Sequence, residues 1–126
     1  MSTALYHQLL LEEAHHPRHQ GSLDQPDATA QTTNASCGDS VTVELRFSTD
    51  KSQIEQMAWR GAGCIISQAF LSLLSDWVQG KTIQQVLALT KEEMLNWIDK
   101  SELSPGREKC LTLGLRAVHA AVRQAE

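Results

Sequence analysis

Apolar and polar residues alternate strictly in one stretch of this chain. From Val41 to Phe47 every second residue is apolar and the residues between them are polar, which is the period of a strand with one exposed face. The turn-forming residues of "STDKSQ" follow, and residues 54–60 have the length of an antiparallel return strand. Residues 21–36 are polar with little pattern. Val41–Phe47 is therefore the first strand that the sequence predicts, in a β-hairpin.

Helical spacing of apolar residues predicts a first helix over residues 3–14 and another that starts at Cys64. In the second, one stripe marks the face that we expect to meet the core: Ile66, Ala69 or Phe70, Leu73 and Trp77. Strands come early and helices late, which is typical of an α+β domain. We therefore expect a small antiparallel sheet with helices packed on one face, in a single domain spanning residues 1–126.

Capping residues mark the starts of the later helices. Thr82 with Gln85, and Thr90 with Glu93, fit the reciprocal pattern in which a hydroxyl and an amide or carboxylate bind free backbone N–H groups. Ser104-Pro105 reads as a cap followed by proline at the first helical position, and it predicts a last helix to about residue 123.

Composition excludes several classes of function. The chain has 126 residues, enough to bury about two-thirds of the surface that its unfolded form exposes. Its net charge is −4 with no basic run, so we expect no nucleic-acid partner. No segment approaches the roughly 20 apolar residues of a membrane span, and the N-terminal residues lack the pattern of a signal peptide. We therefore expect a cytoplasmic protein that does not contact membranes.

The three cysteines occupy a loop, a helix start and the second turn of a helix. Cys37 lies in the loop before the first predicted strand, two residues before Asp39. Cys64 follows "GAG" at a helix start, where free N–H groups and the helix dipole favour a thiolate. Cys110 lies in the last helix. Three thiols in a reducing compartment favour metal ligation or thiolate chemistry over a disulfide framework.

Helical-wheel positions suggest that the two helical cysteines point away from the core. Cys64 falls on the face that carries Leu71 and Ser75, turned away from the predicted core stripe. Cys110 shares its face with small residues, which we expect to leave its sulphur accessible: Gly114, Ala117 and Ala121.

A single site formed by Cys37, Asp39, Cys64 and Cys110 is the interpretation that accounts for all three thiols. Three soft thiolates and one hard carboxylate suit zinc, or an iron–sulphur cluster with one labile corner. Three alternatives remain: buried inert thiols, an enzyme with Cys64 as nucleophile, and an interaction module held by structural zinc. The nucleophile lacks a convincing base, since no histidine falls near a cysteine in sequence.

Three motifs resemble those of a known family. "ASCGD", "GAGCIIS" and "REKC" are similar to the cysteine motifs of the IscU, NifU and SufU family of iron–sulphur cluster scaffolds, and "HHPRHQGSL" resembles that family's opening. The resemblance implies a scaffold, not a turnover enzyme, that accepts sulphur from a cysteine desulphurase. It also implies a transient [2Fe-2S] or related cluster, passed on to acceptor or carrier proteins. Its ligand positions are Cys37, Asp39, Cys64 and Cys110.

The branch within this family stays open. Lys109 stands where the IscU branch has a histidine, as in the SufU branch, but the insertion of SufU proteins between the second and third cysteines is absent. A zinc-dependent sulphur acceptor that activates a desulphurase is therefore the alternative function. In either case the sulphur-acceptor candidates are Cys110, in the first turns of a helix, and Cys37, in a loop.

Overall fold

A three-stranded antiparallel sheet and the helices that follow it form the fold. The structure is a computed structural model that describes residues 11–34, 38–62, 65–97 and 105–124. The sheet has the order β1-β2-β3, and its strands are β1 (Ala28–Asn34), β2 (Asp39–Phe47) and β3 (Ile54–Ala62). The described helices after it are α1 (Ile65–Val78), α2 (Ile83–Ala88), α3 (Lys91–Leu95) and α4 (Pro105–Arg123). The α+β prediction is confirmed.

The predicted hairpin is present and is longer than the sequence pattern indicated. β2 and β3 pair antiparallel, and both extend two residues beyond the predicted strands at the same end, to Asp39 and to Ala62. The side chains that face the helices from the middle of the two strands are fully buried: Val41, Val43, Leu45, Met57 and Trp59. The residues added at these ends are polar or small, so the alternation of apolar and polar positions does not indicate them in the sequence.

The strand β1 was missed by the sequence analysis. It pairs antiparallel with β2 along its whole length. Its inward residues Ala28 and Ala30 are buried, whereas Thr29 and Gln31 are exposed. The period of two is therefore present, but alanine is small and is depleted in strands, so the alternation is inconspicuous.

The segment between the N-terminal helical residues and β1 crosses the sheet face opposite the helices. The backbone N–H of Gly21 donates to the Trp59 carbonyl at 2.8 Å, and the N–H of Leu23 donates to Glu44 Oε1 at 2.8 Å. Arg60 Nη1 lies 3.4 Å from the same carboxylate. Glu44 is buried on this face, and its carboxylate holds the segment across it. The two long helices pack on the other face of the sheet.

The predicted caps agree with the helix starts where these are described. Thr82 and Gln85 form the reciprocal capping box of α2. Thr90 accepts the N–H of Glu93 at 3.3 Å at the start of α3. The helix α4 begins at Pro105 and ends at Arg123, as predicted. The early helix is described from residue 11 and extends to residue 15; residues 3–10 of that prediction lie outside the described residues.

The predicted core face of α1 was correct only in part: Ala69 and Phe70 are buried, as predicted. Leu73 and Trp77 are only half-buried, while Leu71, Leu74 and Ser75 are buried. The helix packs on β3 with one side and on α4 with another, so its buried surface is wider than one stripe. The Ser75 hydroxyl is satisfied by donating to the Ser72 carbonyl at 2.7 Å. A serine that reads as polar surface is thus part of the core.

The small residues that share a helix face with Cys110 are buried, whereas the predicted accessibility of the Cys110 sulphur concerns a side chain outside the described set. Ala117 and Ala121 are fully buried, and Gly114 packs directly on α1. A Cβ atom at Gly114 would lie 2.6 Å from Leu71 Cδ2. These residues are small because two helices approach closely there.

Within the described part of the chain, no helix is long and apolar enough to cross a membrane.

Candidate functional site

One end of the sheet brings together the strand ends that lead to two of the cysteines. Asp39 begins β2 and pairs with Asn34, the last residue of β1. Ser40, its neighbour, pairs with Ala62, the last residue of β3. Paired strands lie about 4.8 Å apart, so three strand ends lie side by side. Cys37 is two residues before Asp39 in sequence, and Cys64 is two residues after Ala62; both cysteines lie outside the described residues.

Two side-chain ties fix the direction of α4 along β1. The hydroxyl of Thr32 donates to the carbonyl of Leu113 at 3.0 Å. The side-chain amide of Gln124 accepts the N–H of Thr29 at 3.3 Å and donates to the carbonyl of the same residue at 2.6 Å. The helix therefore runs antiparallel to β1, and its N-terminal turns point toward the strand end at Asn34.

Cys110 lies in those N-terminal turns, three residues before Leu113. The structure describes its backbone in α4, in the second turn as predicted, and not its side chain. Leu113 is hydrogen-bonded to Thr32, Thr32 pairs with Val41, and Val41 pairs with Gly61. These four residues form one row from α4 across the three strands. From this row, the segments that carry the cysteines all continue toward the same end of the molecule.

Asp39 is the one predicted ligand whose side chain the structure describes. It is 7 % exposed, and its Oδ2 atom is buried without a hydrogen-bond partner among the described residues. Burial of an unpaired carboxylate oxygen costs about 1–3 kcal/mol or more. A metal ion bound by Asp39 would supply the missing partner of that oxygen. The residue therefore fits the ligand role that the sequence suggests.

The described residues alone do not make a metal site. Among them, no group of three or more His, Cys, Asp or Glu side chains is placed to hold a metal ion. Three of the four proposed ligands are cysteines whose side chains fall outside the described set, so the four-ligand site stays a prediction. The sequence-predicted ligands are therefore represented here by Asp39 and by the backbone of Cys110.

A narrow crevice, too tight to admit a water molecule, lies between this end of the sheet and the two long helices. Its lining includes residues from β2, β3, α1 and α4: Ser40, Gly61, Ser67, Gln68, Leu71 and Gly114. Ser67 is 4 % exposed and comes three residues after Cys64. Sequence reasoning did not single out Ser67 or Thr32, because a lone hydroxyl in an amphipathic pattern reads as solvated surface.

Gly61 lines this crevice, and its backbone lies against the backbone of Ser40 and Val41. A Cβ atom there would collide with the carbonyl oxygen of Ser40 and lie 2.9 Å from Val41 Cα. Gly38, in the turn before Asp39, has φ +73°, a conformation that glycine adopts without strain. The glycines beside the cysteine motifs thus have structural reasons: one permits close backbone approach and the other a left-handed turn.

Comparison with known proteins identifies relatives over nearly the whole chain. The family model described as "NifU-like N terminal domain" matches residues 5–126. The chain is 33% identical over 137 residues to the iron-sulfur cluster assembly scaffold protein IscU of Streptococcus pyogenes serotype M1, covering 96% of this chain and 84% of that protein. It is 27% identical to the zinc-dependent sulfurtransferase SufU of Bacillus subtilis, covering 97% and 92%.

Solved structures support the same fold. A protein described only as hypothetical superposes with a TM-score of 0.77 at 30% identity, covering 97% of this chain and 99% of that one. A NifU-like N-terminal protein from Brucella abortus superposes with a TM-score of 0.77 at 24% identity, covering 95% and 93%. The latter likeness concerns the fold alone.

Proposed function

This chain belongs to the family of NifU-like N-terminal domains, and on that premise we propose that it is an iron–sulphur cluster assembly scaffold. The scaffold domain is proposed to span residues 1–126, with the cluster as its cargo on Cys37, Asp39, Cys64 and Cys110. The observation that carries the proposal is the buried Oδ2 of Asp39, which has no hydrogen-bond partner in the part of the chain that the structure describes. It lies at the sheet end toward which the three cysteine-bearing segments run.

The donor set suits a cargo that must be released. Thiolates are soft ligands that bind iron of a cluster or zinc strongly, whereas a carboxylate is a hard and less matched ligand. We therefore assign the exchangeable corner of the site to Asp39. Zinc can occupy the same four ligands, since three thiolates and one carboxylate satisfy its preference for tetrahedral coordination.

A cysteine desulphurase is the proposed source of sulphur. A thiolate of this chain, from Cys110 or Cys37, attacks the outer sulphur of a persulphide on the desulphurase. A new S–S bond forms, and the desulphurase cysteine leaves as its thiolate, so no external oxidant is needed. Acceptor or carrier proteins then receive the cluster. We place these steps in the cytoplasm, where thiols stay reduced.

A second function is favoured by one comparison. The relative named as a zinc-dependent sulfurtransferase covers nearly the full length of this chain. Under this alternative the four ligands hold zinc, and the chain accepts sulphur from the desulphurase without building a cluster. The two functions share their ligands and their sulphur donor, and they differ in the cargo.

Anaerobic reconstitution separates these functions. We expect the chain, incubated with ferrous iron, cysteine and a cysteine desulphurase, to develop visible thiolate-to-iron absorption, and Cys37→Ser, Cys64→Ser and Cys110→Ser variants to lose it. An uncoloured protein that keeps one tightly bound zinc and accepts sulphur supports the sulfurtransferase alternative. Both functions are contradicted if the parent chain develops no colour and if its zinc content does not fall when the proposed ligands are substituted.

A further inference from the structure

We infer that Thr32 is a positioning residue for the proposed ligand site: its hydroxyl holds the N-terminal turns of α4, and with them Cys110, against β1. The inference rests on the proposed function, because it concerns the same four ligands. Thr32 is neither a proposed ligand nor part of any of the cysteine motifs.

The inward side chains of β1 explain why this contact is available. Ala28 and Ala30 face the helices, and Thr32 is the next residue on that face. Alanines allow α4 to lie close to the strand. At Thr32 the residue type changes, and a hydrogen bond to Leu113 takes the place of purely apolar packing.

The acceptor of the Thr32 hydroxyl, the Leu113 carbonyl, lies inside a helix and therefore has a fixed position. Leu113 is in the interior of α4, so its carbonyl is also a member of the helical hydrogen-bond ladder. A carbonyl oxygen has two lone pairs and can accept both bonds. The Thr32 hydroxyl therefore fixes a rigid helix rather than a mobile side chain, one turn from Cys110.

Gln124 provides a natural comparison within the same pair of elements. It also ties α4 to β1, through two bonds to the Thr29 backbone, but it lies at the opposite end of the helix. Thr32 is five residues from Cys37 along the chain, and its partner is three residues from Cys110. Loss of either tie loosens the helix on the strand, but only loss of the Thr32 tie does so beside the proposed ligands.

Cobalt titration tests this inference, with Co²⁺ as a coloured substitute for zinc. The first measurement is the Co²⁺ affinity, obtained from thiolate-to-cobalt absorption. The second is the rate of backbone hydrogen exchange in the first turns of α4, measured before metal is added. Thr32→Val keeps the shape of the side chain and removes the hydroxyl. We expect up to about fivefold weaker Co²⁺ binding, the fold-change equivalent to the loss of one neutral hydrogen bond, and faster exchange in those turns.

Two controls distinguish positioning from general loosening. Thr32→Ser retains the hydroxyl and should bind Co²⁺ like the parent chain. Gln124→Ala should loosen the far end of α4 without changing the affinity. Should Thr32→Val fail to fold, Thr32→Ala supplies the same comparison.

Parental affinity in the variants that lack the hydroxyl would overturn the inference, as would equal losses in Thr32→Val and Gln124→Ala. A parent chain that does not bind Co²⁺ through its cysteines would instead refute the proposed ligand set itself, and the inference with it.

Discussion

Replacement of Gly114 by alanine tests the contact that aligns the two long helices. In an isolated helix this change stabilises by about 1 kcal/mol, because glycine has the poorer helix propensity. In this protein the added Cβ would lie 2.6 Å from Leu71 Cδ2 and 3.2 Å from Leu71 Cγ. Carbon atoms in favourable contact are about 3.5–4.0 Å apart, so Leu71 has to move by roughly 1 Å.

The magnitude follows from these opposed effects. Leu71 is 5 % exposed and lies between α1 and α4, so it has little room to move. Overpacking of a core contact typically costs about 1–3 kcal/mol. Taking the middle of that range and subtracting the propensity gain, we expect Gly114→Ala to lower the free energy of unfolding by about 1 kcal/mol.

A double-mutant cycle isolates this contact. Leu71→Ala alone should cost about 2–5 kcal/mol, since it leaves a cavity. In that background the clash is absent, and Gly114→Ala should stabilise by about 1 kcal/mol through helix propensity. The coupling between the two sites is then about 2 kcal/mol. Urea unfolding of metal-free protein, followed by tryptophan fluorescence, measures all four free energies.

A matched control lies on the exposed side of the same helix. Arg116→Ala should change the free energy of unfolding by no more than about 0.5 kcal/mol. If Gly114→Ala stabilises the parent chain by the full propensity gain, the two helices are not in the contact described here. The same conclusion follows if its effect is identical with and without Leu71.

Three further outcomes follow from other contacts. Gly61→Ala should destabilise by about 3 kcal/mol in urea unfolding, the upper end of overpacking costs, because the new Cβ meets the backbone of Ser40 and Val41; an unchanged midpoint would contradict this. Asp39→Ala should stabilise metal-free protein by about 1–3 kcal/mol, since it removes the unpartnered oxygen, and should retain a reconstituted cluster longer; faster cluster decay than in the parent would refute the exchangeable corner. Burial lowers the pKa of His119 from its ordinary value of 6.5, so the neutral ring contributes stability that is fully present above pH 6.5 and is lost as the pH falls below it. His119→Gln should therefore flatten the pH dependence of the unfolding midpoint on the acid side of pH 6.5, and an unaltered profile would exclude His119 as its source.

Local patterns predicted the elements of this fold well wherever side chains are large or caps are specific. The hairpin, the capping box at Thr82 and the proline at the start of α4 could all be read from a few neighbouring residues. The strand β1 could not be recognised because its inward residues are alanines. Its place in the sheet depends on pairing with β2 and on cover from α4, and neither is visible in the segment itself.

The faces of the helices were harder to predict than their positions. A periodic stripe shows which side of a helix is most apolar, but α1 has two partners, so Leu71 and Ser75 are buried outside that stripe. The small residues of α4 were interpreted as leaving the Cys110 sulphur accessible, whereas Gly114 serves close packing against α1. The number of surfaces that a helix buries depends on tertiary neighbours, which a single periodicity does not reveal.

The burial of both predicted cysteine faces changes the physical picture of the candidate site. On α1 the face that continues from Cys64 includes Leu71, and on α4 the face that continues from Cys110 includes Gly114; these two residues are in direct contact. The faces that the sequence suggested were turned to solvent are therefore turned toward each other. The contact between Leu71 and Gly114 therefore sets the distance between the two helices beside the segments that carry Cys64 and Cys110 in sequence. On the proposed function, a substitution that separates the two helices should also weaken metal binding that needs both cysteines, and metal titration of Gly114→Ala would measure this coupling.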